Sequence, residues 1–168
     1  MTGTPGTWDS TRSKFYGTVI YEPETGLWKM WYTGSQDQPP WMRMTSVTDT
    51  RHIGYAVSRD GLHWKKPKLG IIDYLGSREN NLVVLDGQAA SVIDLKRSKV
   101  PGAKRRYRMY MESFGGPPPG ATNFRWFGSD DGLHWEEEGR VSEQELPIEL
   151  AHVIYDPDDP HPERRWKA

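Results

Sequence analysis

The side chains that could do chemistry in this chain are carboxylates, histidines and amines. The 168 residues include no cysteine, which removes disulfides, thiolate metal ligands and a thiol nucleophile. Two of the five histidines sit in a phrase that occurs twice. Ser58-Arg59-Asp60-Gly61-Leu62-His63-Trp64 returns as Ser129-Asp130-Asp131-Gly132-Leu133-His134-Trp135. The phrase looks like a site, but a turn explains it more simply. Asp and Gly make the turn, Ser hydrogen-bonds locally, and Trp packs against a neighbouring sheet. On that reading His63 and His134 are scaffold. His152 stands alone in a candidate inner strand, and a lone His is weak evidence for a metal site. Lys96, Arg97, Lys99, Lys104, Arg105, Arg106 and Arg108 form a basic hairpin tip with no aromatic residues interleaved. With 22 basic and 23 acidic side chains, the composition makes no electrostatic case for nucleic acid or an anionic membrane.

The elements that must position these groups are repeated with them. Val19-Ile20-Tyr21-Glu22-Pro23 recurs as Val92-Ile93-Asp94-Leu95-Lys96 and as Val153-Ile154-Tyr155-Asp156-Pro157. Trp28-Lys29-Met30-Trp31-Tyr32 recurs as Tyr107-Arg108-Met109-Tyr110-Met111 and as Trp166-Lys167-Ala168. Such repetition decides architecture before any local reading. Gly17–Tyr21 reads as a strand, Glu22–Gly26 as its turn and Leu27–Thr33 as the return. Trp28, Met30 and Tyr32 fall on one face of that return strand, with Lys29, Trp31 and Thr33 on the other. His52–Ser58 and the start of a strand at Leu62–Lys65 flank the Asp-Gly turn. Pro67–Asp86 reads as a link to the second repeat. That repeat has strands at Ser91–Leu95, Tyr107–Glu112, Asn123–Ser129 and Leu133–Glu138. Its loop Gly115–Gly120 is rich in Gly and Pro and is not expected to continue a ladder. No window shows a helical apolar period with a cap and a stop.

The expected fold class is therefore all-β. The chain reads as a partial β-propeller of about two and a half four-stranded antiparallel blades, spanning about 15–66, 88–138 and an incomplete 149–168. It forms a single domain on this reading. Eight Trp, eight Tyr and four Phe suit strand faces and inter-sheet packing, and also stacking against sugar rings. No apolar run approaches the roughly 18 residues of a membrane span.

Three stretches carry a family resemblance. They are Gly17–Tyr21 with Gly26–Tyr32, Ile53-Gly54-Tyr55-Ala56-Val57 running into the Asp-Gly phrase, and Lys66–Ile72 with Gly76–Val83. Together they resemble bacterial proteins related to the five-bladed β-propeller glycoside hydrolases, the superfamily of invertase, levansucrase and arabinanase (families 32, 68 and 43). The resemblance implies five blades in a complete protein, with the remaining blades supplied by a longer parent and the fragment inactive alone. It also implies three carboxylates gathered at the propeller axis, serving as nucleophile or base, substrate-orienting group and general acid.

Ile148-Glu149-Leu150-Ala151-His152 looks like the family 43 pattern around the general acid, which would make Glu149 that acid. Its alternative is an exposed Glu in an acidic stretch. In the second repeat either Asp86 or Asp94 could be the orienting carboxylate, although Asp86-Gly87 is also a good turn dipeptide. In the first repeat the stretch before the expected strand, Lys14–Gly17, has no carboxylate. Asp9 is the nearest acid upstream, and its distance from the strand is a departure from the family pattern. Trp8, Tyr16, Trp41 and His152 are the candidate carbohydrate contacts. No cofactor is implied, and calcium has no support in the sequence. Two functions follow as expectations: a glycosidase acting on poly- or oligosaccharide through paired carboxylates, or a non-catalytic propeller that binds carbohydrate or protein.

Overall fold

A computed structural model describes residues 3, 6–36, 51–116, 121–142 and 152–168. The described residues form an all-β, antiparallel structure whose single helical element is a short 3-10 turn at Pro162–Arg164. None of the described residues forms a helix long and apolar enough to cross a membrane.

The first sheet runs β1 (Arg12–Glu22), β2 (Leu27–Ser35), β3 (Arg51–Ser58) and β4 (Trp64–Lys65). A further strand, β5 (Leu82–Val84), pairs with β3 beyond the end of β4. The second sheet runs β6 (Gln88–Asp94), β7 (Tyr107–Gly116), β8 (Ala121–Ser129) and β9 (Glu136–Ser142). A two-stranded hairpin, β10 (Ile154–Tyr155) and β11 (Trp166–Lys167), opens the third repeat.

Three differences from the expected strands matter. First, β1 begins at Arg12, five residues before the expected Gly17. A bulge between Lys14 and Thr18 breaks the alternation by which a strand is recognised. Gly17 sits in that bulge, where a Cβ would lie 1.8 Å from the Trp31 carbonyl oxygen. Second, the expected link 67–86 contains β5. Third, β7 extends past a bulge at Gly115 to Gly116, which pairs with Ala121, so the ladder does continue into this loop. Residues 117–120 lie outside the described residues.

The first strands of successive repeats are joined by hydroxyls. Thr18 on β1 donates to the Ala90 carbonyl at 3.0 Å and accepts from the Val92 amide at 2.9 Å. Ser91 on β6 does the same to Val153, with both bonds at 2.9 Å. The largest core lies between the two sheets. There Trp31, Ile53 and Tyr55 of the first meet Val92, Tyr107, Met109 and Phe127 of the second. A second cluster of Trp8, Met30, Tyr32, Ala56 and Leu82 covers part of the other face of the first sheet.

The repeated Asp-Gly phrase folds as the expected turn in both places. Ser58 Oγ accepts from Gly61 N and Ser129 Oγ from Gly132 N, each at 2.9 Å. Asp60 accepts the amides of Leu62 and His63, and Asp131 those of Leu133 and His134, and each also holds the histidine ring, His63 at 2.7 Å and His134 at 2.8 Å. Gly61 and Gly132 have φ of +75° and +79°, a conformation in which a Cβ would be strained. Both histidines are exposed scaffold, away from the cleft described below.

Candidate functional site

A cleft of about 420 Å³ opens beside the N-terminal segment, between Thr7–Asp9, Gln36, Lys66–Lys68 and Tyr74–Asn81. Trp8 seats its indole flat on the first sheet because β2 and β3 carry glycine beneath it. A Cβ at Gly34 or Gly54 would lie 2.5 or 2.4 Å from the ring. Tyr32 stacks on the indole at 5.7 Å between centroids. The indole N–H donates to Asn81 Oδ1 at 2.8 Å. Asn81 in turn donates to the Tyr32 hydroxyl and to the Tyr55 carbonyl, both at 2.8 Å.

This packing buries Asp9 almost completely, at 1% exposure. Tyr32 donates to Asp9 Oδ2 at 2.8 Å, Lys66 Nζ to the same oxygen at 2.5 Å, and Thr7 to Oδ1 at 2.7 Å. Burial alone would raise the carboxyl pKa. The hydrogen bonds from Lys66, Thr7 and Tyr32, with the Lys66 charge, outweigh it and hold Asp9 below the usual range. Burial and the neighbouring Asp9 anion push the Tyr32 hydroxyl well above its ordinary value, so it stays a neutral donor. The result is a water-poor anion beneath a cleft whose wall combines aromatic and amide groups.

Asp9 stands three residues before β1, which starts at Arg12. Asp86 holds the matching place in the second repeat, two residues before β6. Its φ of +58° aims its amide at His52 Nδ1, 3.1 Å away, and its side chain is half exposed. His52 is buried, and its ring lies between Trp8 at 6.3 Å and Tyr74 at 4.9 Å. His52 thus lies beside both Trp8 and Asp86, but Asp86, like His52, does not line the cleft that holds Asp9.

The other candidates lie elsewhere. Asp94 is at the far end of β6, about 25 Å along the strand from Asp86 at about 3.3 Å per residue. It accepts from the Arg97 amide at 3.0 Å and pairs with Arg106 at 3.3 Å, which makes it a buried hairpin brace. Tyr16 is 54% exposed on the β1 bulge and does not line the cleft. His152 lines a separate cleft of about 260 Å³ with Ile20, Val92, Asp94, Arg97 and Ile154. Glu149 and Trp41 lie outside the described residues. Much of the basic tip is ion-paired: Arg105 with Asp130 and Glu136, Arg106 with Glu22, and Arg108 with Glu138. Among the described residues no group of three or more His, Asp or Glu side chains is arranged to hold a metal ion.

Sequence reasoning missed Lys66, Tyr32, Asn81 and His52. The partners Lys66 and Asp9 are 57 residues apart, and nothing local to either marks the pairing. Comparison with protein-family models finds no match to the chain, and no curated protein matches it.

Proposed function

We propose that the chain is a section of a β-propeller whose cleft beside Asp9 takes a saccharide, and that the whole protein acts on it as a glycoside hydrolase with carboxylates from successive repeats. The observation that carries the reading is the position and state of Asp9. It is a buried, ionised carboxylate three residues before the first strand of the first repeat, with Asp86 two residues before the first strand of the second. The propeller reading is supported by antiparallel sheets of one repeated grammar whose first strands are tied side by side through Thr18 and Ser91. Tyr74, Asn80, Gln36 and Lys68 offer the cleft an aromatic face and hydrogen-bonding groups of the kind that hold sugar rings. In this scheme Asp9 is the nucleophile or base, Asp86 orients substrate, and Glu149 is the acid.

One feature favours binding without turnover. Asp9 is already engaged by Lys66, Tyr32 and Thr7 and is nearly inaccessible, whereas a nucleophile must reach an anomeric carbon. The two readings separate in one experiment. Fructans, arabinans and xylans are incubated with the protein and with its Asp9→Asn, Asp86→Asn and Glu149→Gln variants, and reducing ends are counted. Hydrolysis by the parent that falls at least a hundredfold in all three variants supports the hydrolase. Binding of a glycan with no release of reducing ends supports the binding propeller. Hydrolysis that survives all three substitutions overturns the assignment of the site.

A further inference from the structure

A tight hairpin turn borders the cleft beside Asp9. Tyr74 and Ser77 exchange both backbone hydrogen bonds, at 3.0 and 3.2 Å, and Leu75 and Gly76 form the tip with φ of +53° and +80°. A tip with positive φ at both positions favours Asn-Gly, Asp-Gly or Gly-Gly, because other L side chains crowd the backbone there. Gly76 fits that preference and Leu75 does not. Tyr74, Leu75 and Ser77 all line the cleft.

Packing does not account for the leucine. Its neighbours Ile72 and Tyr74 pack against the cluster of Trp8, Met30 and Tyr32, whereas Leu75 is 60% exposed. Among the described residues the other non-glycine positions with positive φ are Asp86, Ala89 and Lys99. The amides of Asp86 and Ala89 reach His52 Nδ1 and Thr33 Oγ1, each at 3.1 Å, and Lys99 is a polar residue in an exposed hairpin tip. Leu75 is the one large apolar side chain of the four. Strain of this kind persists where the surroundings hold it, and it collects at ligand sites.

The surroundings do hold this turn. Asn80 Nδ2 donates to the Ile72 and Ser77 carbonyls at 2.9 and 3.0 Å, tying both sides of the hairpin. Asp73 Oδ1 accepts the Gly76 amide at 3.1 Å. The Tyr74 hydroxyl accepts from Gln36 at 3.3 Å, and its ring meets His52 edge-on at 4.9 Å. An apolar tip fixed in advance adds affinity with little ordering cost on binding.

We propose that Leu75 is a saccharide-contacting residue of the Asp9 cleft, its methyl groups packing on the C–H face of a sugar ring whose hydroxyls meet the polar wall. The inference rests on the saccharide reading and names the residue that gives the cleft its apolar grip.

Leu75→Asn and Leu75→Met, made in the full chain, separate the turn from the contact. Isothermal titration with fructo-, arabino- and xylo-oligosaccharides measures affinity, the Lys66–Asn81 amide resonances locate the sugar, and thermal melts report the fold. Asn suits positive φ, so Leu75→Asn is expected to melt about 2–4 °C above the parent. The same variant is expected to bind the sugar about three- to tenfold more weakly, through lost apolar burial. Leu75→Met keeps an apolar side chain and is expected to bind within about twofold of the parent. A structural role alone would move stability and affinity in the same direction. A sugar held in the cleft as tightly by Leu75→Asn as by the parent overturns the inference and leaves the saccharide reading standing. So does a Leu75→Met variant weakened as much as Leu75→Asn. A parent that binds none of the three sugars in the cleft overturns both.

Discussion

Glu22 should be the carboxylate whose removal costs this fold most. It is 3% exposed at the junction of the two sheets. Its Oε1 receives Lys29 Nζ, Arg106 Nη2 and the Tyr107 hydroxyl, each at 2.9 Å, and Oε2 receives the Thr25 hydroxyl at 2.7 Å. Burial opposes the charge, but the bonds from Lys29, Thr25 and Tyr107 win and bring the pKa from 4.5 to about 2. At about 1.4 kcal/mol for each tenfold step this corresponds to roughly 3 kcal/mol. Screening through Arg106 and Glu24 at the rim reduces it to about 2 kcal/mol. A carboxyl held below its unfolded value contributes stability that is complete above 4.5 and is lost as the pH falls toward 2. Glu22→Gln should therefore lower stability by about 2 kcal/mol at neutral pH, or roughly 4–8 °C in Tm. The gap between parent and variant should close as the pH drops through that window. Urea titrations followed by tryptophan fluorescence at several pH values measure it. Taking the difference between the two proteins cancels the other carboxylates that titrate in the same range. A gap that stays constant down to about pH 2.5, or a variant as stable as the parent at neutral pH, would refute the reasoning.

Other outcomes follow from named contacts. Gly17→Ala places a Cβ against the Trp31 carbonyl and should lower the urea midpoint by an amount corresponding to about 3 kcal/mol. Trp31→Phe removes the indole donor to Gly132 O and should cost about 1–2 kcal/mol in the same assay, through the inter-sheet junction. Asp94→Asn should destabilise the second hairpin by about 2 kcal/mol while leaving saccharide turnover unchanged, since Asp94 braces Arg106 far from the cleft. His63 is hydrogen-bonded by Asp60 and should titrate above 6.5 in an NMR pH series, with Asp60→Asn returning it toward that value. Any stability this pair adds is present below 6.5 and fades as the pH rises through the folded-state value.

What the residues revealed in advance was whatever they state locally. The Asp-Gly turns, the Val-Ile strands and the opposed faces of β2 can be read from spacing alone, because a strand has a period of two and Gly marks positive φ. The true start of β1 could not, since its first residues are polar and the bulge at Gly17 breaks the period. β5 is three residues long and was hidden in a segment that otherwise reads as a link. The candidate carboxylates could be named from the sequence, but their surroundings could not. Asp86 and Asp94 look alike in sequence, and only the Arg106 pairing at one end of β6 and His52 at the other separate them. Asp9 is three residues from β1 rather than eight from the expected strand. Lys66 and Asn81, which fix its charge and the indole beside it, come from distant parts of the chain.

The central claim is that the cleft beside Asp9 receives a saccharide, and residue-resolved NMR tests it most directly. Amide and indole resonances of the isotope-labelled protein would be followed during titration with fructo-, arabino- and xylo-oligosaccharides. The account predicts saturable shifts for one of these sugars, centred on Lys66–Asn81 and the Trp8 indole, with Asp94 and the Asp-Gly turns at Gly61 and Gly132 unmoved. An unchanged spectrum with all three sugars, or shifts centred on His152 and Ile154 instead, would contradict it.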